Sequence, residues 1–255
     1  MSEELVKTSP LPVSMEDMAA DAQDGLGNVS VQDIAIPFLH ILQSGSQSVK
    51  QGPNKIPGAS EGDIINSVTQ EVFNGMDGIR VVPCNYIKKY VEWIDQDEGG
   101  GLVRVHDTED ILGQCKRNTK NKDILPNGHI IVTTAYHYVL LLDAQGNFQR
   151  AVMSFTSTQL KKSRKWLSQI TSIQFTDKDG KKFTPAMYSH SYRLSTTVET
   201  KDTYSWMNWV VSEPEMVNDP GLYAAAKKYK QDIDASAVRL SEPPKDGAPA
   251  DDNLM

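Results

Sequence analysis

Cysteine is nearly absent from this chain: Cys84 and Cys115 are the only two among 255 residues. That excludes a disulfide scaffold and fits a reducing compartment, so a cytoplasmic location is expected. No apolar run approaches the roughly 18 residues that cross a bilayer as a helix, and no membrane partner is expected. The opening stretch, MSEELVKTSPLPVSMEDMAADAQDG, is acidic and lacks the basic and apolar regions of a secretion signal.

Catalytic signatures are missing too. There is no glycine-rich phosphate loop, no G-x-G-x-x-G, no G-x-S-x-G and no H-E-x-x-H. The five histidines (40, 106, 129, 137, 190) are scattered, and His106 with Cys115 lacks the second ligand pair a zinc site needs. Neither cysteine adjoins a His or Asp that would activate it. No cofactor, no metal and no enzymatic activity are therefore expected. The run His106-Asp107-Thr108-Glu109-Asp110 keeps one enzymatic alternative open, a Mg-dependent nuclease or recombination enzyme using Asp107, Glu109 and Asp110. A solvated charged loop is the simpler reading.

What the chain does have is unevenly placed charge. The formal net charge is −7, but residues 1–33 hold seven acids against one base and residues 241–255 four against one, leaving residues 34–240 at +2. Both ends are acidic and the body is mildly basic. Composition predicts a disordered acidic segment over 1–30, a folded domain over 31–240 and a disordered acidic tail over 241–255.

Within the body, most segments alternate like strands. IAIPFLHIL (34–42), DIINSVT (63–69), GIRVVPCNYIKKYVEWI (78–94), HIIVTTAYHYVLLLD (129–143), FQRAVMSFT (148–156), YSHSYRLSTTVE (188–199) and YSWMNWVV (204–211) are rich in β-branched and aromatic residues. SIQFTDKDGKKFTPAMY (172–188) reads as a hairpin turned at Asp179-Gly180. Two helices are predicted, over 156–170 with Thr156…Gln159 at capping-box spacing, and over 219–234 with Asp219 and Pro220 as N-cap and N1. The fold class is mainly β with two helices: an OB-fold-like β-barrel, or as the alternative an antiparallel β-sandwich.

Alternation along CNYIKKYVEW (84–93) puts Tyr86, Lys88, Tyr90 and Glu92 on one face and Ile87, Lys89, Val91 and Trp93 on the other. The first face carries side chains about 7 Å apart, a spacing at which bases stack on tyrosines while an ammonium meets phosphate. Tyr136 and Tyr138 share a strand face, and Tyr192 has Arg193 beside it. Lys161, Lys162, Arg164 and Lys165 give the first helix a cationic side. Tyr204 and Trp206 read instead as core. The candidate nucleic-acid-binding residues are thus Tyr86, Lys88, Tyr90, Tyr136, Tyr138, Lys161, Lys162, Arg164, Lys165, Tyr192 and Arg193. The C-terminal Asp251, Asp252, Leu254 and Met255 combine acid with an apolar tip, suited to masking a basic groove or docking a partner protein.

PFLHILQSGSQSVK (37–50), GDIINSVTQEVFNGMDGIRVVPCNYIKKYVEW (62–93), FTSTQLKKSRKW (155–166) and YRLSTTVETKDTYSWMNW (192–209) resemble phage-encoded single-stranded DNA-binding proteins with an OB-fold core. The resemblance implies a replication or recombination accessory protein that coats exposed single strands in an infected bacterial cell; the partner proteins its C-terminal tail would dock are then replication or recombination proteins. A third reading, a phage structural or host-factor-interacting protein without nucleic acid, fits the overall acidity.

Overall fold

A computed structural model describes residues 14–22, 24–29 and 33–235; the tail residues Asp251, Asp252, Leu254 and Met255 lie outside them. The first element, α1 (Met15–Ala20), is a six-residue helix capped by Ser14, whose hydroxyl accepts from the Asp17 amide at 3.0 Å. It falls inside the segment expected to lack order and brings the described α-helices to three rather than two. Met15, Met18 and Ala19 do fall at helical spacing behind the Ser14 cap, a short signal that the acidic, aromatic-poor composition of the segment outweighed.

Next come three short antiparallel strands, β1 (Leu39–Ile41), β2 (Ile64–Asn66) and β3 (Val72–Phe73). Gly75 follows them at a point where a Cβ would lie 1.8 Å from the Gly62 carbonyl oxygen. Only glycine fits there.

The centre of the molecule is β4 (Ile79–Ile94), sixteen residues long. Its last five residues pair with β5 (Gly101–His106). After the short strands β6 (Lys116–Arg117) and β7 (Asp123–Ile124), the chain returns as β8 (Ile130–Leu142), which pairs with β4 over nearly its whole length. Strand β9 (Phe148–Phe155) lies on the other side of β8, and α2 (Gln159–Ser172) follows it. The hairpin β10 (Phe175–Thr176) and β11 (Lys182–Phe183) turns at Gly180, whose φ of 78° suits glycine. Then β12 (His190–Lys201) pairs with the first residues of β4 and with β13 (Tyr204–Val211). Strand β14 (Glu215–Met216) touches the start of β12, and α3 (Pro220–Asp234) ends the described chain. As the sequence suggested, Asp219 caps α3, accepting from the Gly221 and Leu222 amides. The Thr156 capping box does not form; α2 starts three residues later, with Thr158 as N-cap.

The protein is mainly β, a curled half-barrel of antiparallel strands, as barrel or sandwich patterning predicted. The core path runs β9-β8-β4-β12-β13. The two ends of that path do not pair with each other. Residues 37–43 lie between them instead: Val152 donates to the Pro37 carbonyl at 2.9 Å on the β9 side, and Phe38 makes a parallel bridge with Val152. On the β13 side, the Gln43 side-chain amide donates to the Met207 carbonyl and accepts from the Met207 amide, both at 2.9 Å. A side chain thus stands in for a strand.

Two cores follow. Inside the curl, Val81, Val139, Leu141, Met153, Phe155, Tyr192 and Trp209 pack with Trp166 and Ile170 of α2. On the outer face, Val82, Cys84, Val91, Trp93, Tyr136, Tyr138 and Val152 pack under Ala226, Tyr229 and Ile233 of α3. The register of β4 against β8 slips between Pro83 and Asn85, leaving Cys84 unpaired. Proline has no amide to give the ladder, and a bulge is where a strand tolerates it. Among the described residues no helix is long and apolar enough to cross a membrane.

Candidate functional site

The row on β4 is not an open platform. Tyr86, Lys88 and Tyr90 do share one face, but it is the inward one. Tyr86 is half-buried with its ring edge 5.1 Å from His137. Tyr90 is 2% exposed, packed with Leu125 and Ile131 beneath Ile111 and Leu112, and its hydroxyl donates to Glu109 at 3.3 Å. Lys88 alone is exposed; its ammonium lies 5.6 Å over the Tyr90 ring and 3.8 Å from Glu109. The segment between β5 and β8, including the run read as a solvated charged loop, folds back over this face. One strip below Tyr90, the buried Glu92 carboxylate is hydrogen-bonded to His106 Nε2 at 2.7 Å and His129 Nδ1 at 2.6 Å. Burial pushes the Glu92 carboxyl up, but these imidazoles outweigh it and hold it below the usual range. They pin β5 and the turn before β8 onto β4.

The other tyrosines are corrected in the same way. Tyr136 and Tyr138 point outward from β8 but lie under α3, and Tyr192 is 1% exposed with its ring 5.6 Å from Trp166. A stacking ring must present a free face. None of these does in this conformation. Arg193 is exposed, yet its Nε donates to the Asp77 carbonyl at 2.6 Å.

The acidic run also disperses. Asp107 is ion-paired with Lys89, which holds its carboxyl below the ordinary range, Glu109 is taken by Tyr90, and Asp110 accepts from the Thr108 hydroxyl at 2.9 Å. An open cleft of about 350 Å³ lies here, lined by Arg104, His106, Asp107, Thr108, Asp110 and Ile111 among others. Among the described residues, no group of three or more His, Cys, Asp or Glu converges as a metal ion requires.

The basic side chains of α2 lie at the surface, beside other groups that the fold brings near. On α2, Trp166 and Ile170 face the core, so Lys161, Arg164 and Lys165 are exposed. Lys162, on the flank, forms an ion pair at 2.6 Å with Glu199 of β12. Burial raises the Glu199 carboxyl, but Lys162 and Asn208 hold it below its normal value. That contact sets α2 beside the β12–β13 hairpin. In the hairpin register Glu199 faces Trp206 and Lys201 faces Tyr204, two residues further out on the same side. At 100° per residue Lys165 lies 60° around α2 from Lys162, and Lys161 100° in the same sense. These residues stand on neighbouring elements joined by the Lys162–Glu199 bridge: Lys161 and Lys165 on the helix, and Lys201 with the 44%-exposed Tyr204 and half-buried Trp206 on the hairpin.

Chemically this surface offers a part-exposed tyrosine ring beside ammonium groups, the pairing a flat anionic ligand needs. Sequence reading missed Lys201 and took Tyr204 for core. The signal was available in the two-residue turn Asp202-Thr203, which sets Lys201 and Tyr204 across from each other at a hairpin tip, away from the core.

Comparison with known proteins adds one finding. A family model described as Pam3 phage gp34-like protein matches residues 5–239. No curated protein and no solved structure matches.

Proposed function

From the premise that the chain belongs to the Pam3 phage gp34-like family, and so to a phage family, we propose that it is a non-catalytic, sequence-tolerant single-stranded DNA-binding protein of phage replication or recombination. The observation that carries this reading is the strand path β9-β8-β4-β12-β13 with α2 inserted between β9 and β12. A long bent first strand shared by the second and fourth, with a helix between the third and fourth, is the plan of an OB-fold. That fold binds oligonucleotides on its second and third strands and on the loops after its first and fourth. The loop after the fourth strand is here the tip of the β12–β13 hairpin, which carries Lys201 and Tyr204. The α2 lysines extend it with charge. The acidic tail (241–255) masks this basic surface or recruits a replication partner.

Binding is read by fluorescence anisotropy with labelled oligo-dT against duplex DNA, with and without Mg²⁺. Retention of intact oligo-dT is expected. Tyr204→Ala should weaken it by about 1–3 kcal/mol, roughly fivefold to hundredfold. Lys161→Ala with Lys165→Ala should lower the slope of log affinity against log salt by about 1.4, since each single-strand phosphate contact contributes about 0.7. A wild-type affinity and slope in both variants would remove this surface from the site. Cleavage of the oligonucleotide would favour the Asp107, Glu109 and Asp110 alternative, and no binding at all would favour a structural or host-factor role.

A further inference from the structure

Helix α3 lies on the outer face of β4, β8 and β9, the first three core strands in chain order, and what it presents to β8 and β9 has a specific chemistry. Asp232, a buried carboxylate, accepts from Arg150 of β9 at 2.7 Å. Tyr229 sets its ring edge-on to Tyr138 of β8, with centroids 6.3 Å apart, and the Arg150 guanidinium stands 4.9 Å over the Tyr229 ring. An anion on an arginine and a ring against a tyrosine are the two groups that one nucleotide supplies through its phosphate and its base. The rest of the seam is Leu222, Ala225, Ala226 and Ile233, with the Tyr229 hydroxyl donating to the Ala151 carbonyl at 3.2 Å, Asn85 donating to Asp234 at 3.3 Å and Tyr223 edge-on to Tyr188 at 5.0 Å. Burial raises the Asp232 carboxyl, but Lys228 and Arg150 outweigh it and keep the anion charged. The helix therefore pairs through a charge that an oligonucleotide can contest.

We propose that the β8–β9 face, with Tyr136, Tyr138 and Arg150, is a second binding surface for single-stranded nucleic acid, held shut in cis by α3. The inference rests on the single-strand reading above. In it, a phosphodiester replaces Asp232 on Arg150 and a base replaces Tyr229 on Tyr138 as the helix swings away. It also gives Tyr136 and Tyr138 a role that their burial in the closed state denies them.

Cys84 supplies a reporter, because it is 1% exposed and packed in the same cluster under α3. Burial pushes its thiol up to about 12, so in the closed state it reacts slowly. In a Cys115→Ser background Cys84 is the only thiol. Its rate of reaction with an aromatic disulfide reagent is measured with and without oligo-dT, while anisotropy follows binding in the same samples. A second protein adds Asp232→Asn and Tyr229→Phe, which loosen α3 without altering the sheet. The expected result is a Cys84 rate at least tenfold faster at saturating oligo-dT, and faster without ligand in the loosened variant, which should also bind oligo-dT at least threefold tighter. Binding confined to the loosened variant would support both the lid and the single-strand reading. If oligo-dT binds but the Cys84 rate stays flat and both proteins show equal affinity, α3 is fixed core; the lid falls and the single-strand reading stands. If neither protein binds oligo-dT, both fall.

Discussion

His137 has its ring stacked on Trp166 at 4.7 Å and 14°, edge-on to Tyr86 and Phe155, with Nε2 hydrogen-bonded to the Ser163 hydroxyl at 2.7 Å. It is fully buried, and burial lowers its pKa from 6.5 to about 3. The folded protein thus keeps it neutral where the unfolded chain takes up a proton. Between those two values the unfolded state binds more protons, so stability falls as pH drops below about 6.5, by at most roughly 1.4 kcal/mol per pH unit. His190, also depressed by burial, acts in the same direction. Urea unfolding at pH 7, 6 and 5 checks this, a range in which most carboxylates do not yet titrate. His137→Phe keeps a ring in place and should remove most of the slope; an unchanged slope would assign it to other groups. At this scale the sequence showed which residues share a strand face, as in Tyr86, Lys88 and Tyr90, but not what lies on it. Tyr90 is covered by Ile111, Leu112 and Leu125, up to 35 positions away in a segment with no periodic pattern.

Strand β4 carries most of the architecture at the level of elements. It has partners along both edges, β12 and β5 on one and β8 on the other; Val81 and, past the bulge beside Pro83, Tyr86 face the inner core, and Tyr90 lies under the β5–β8 excursion. Where β9 and β13 fail to meet, Gln43 fills the gap with two hydrogen bonds to Met207. Gln43→Ala deletes both and leaves a part-buried amide and carbonyl to find other partners. It should cost about 1–3 kcal/mol in urea unfolding and speed hydrogen exchange at the Met207 amide. Unchanged exchange there would mean that β13 is held by β12 alone. The strands of the core path and both longer helices were legible because their periods of 2 and 3.6 are local properties. The closure was not, since nothing around Gln43 distinguishes its amide from any exposed glutamine, and its partner is 164 residues away.

On the scale of the whole molecule, charge separates from shape. The body is mildly basic while residues 241–255 hold Glu242, Asp246, Asp251 and Asp252 against Lys245. A tethered acidic segment competes with phosphate at high local concentration, and salt screens that competition. Deleting residues 241–255 should therefore tighten oligo-dT binding several-fold at about 50 mM salt, and the gain should shrink toward nothing by about 0.3 M. Equal affinity at low salt would end the masking idea, leaving partner docking through Leu254 and Met255 to be tested by itself. By itself the sequence determined the mainly β class, the positions of the long strands, α2 and α3, the basic side of α2 and the acidic ends, because periodicity, capping and charge are carried by neighbouring residues. Tertiary structure decided which tyrosines are free. Burial depends on what arrives from elsewhere in the chain: α3 over Tyr138 and the 109–125 segment over Tyr90, while Tyr204 at its hairpin tip stays 44% exposed among the described residues.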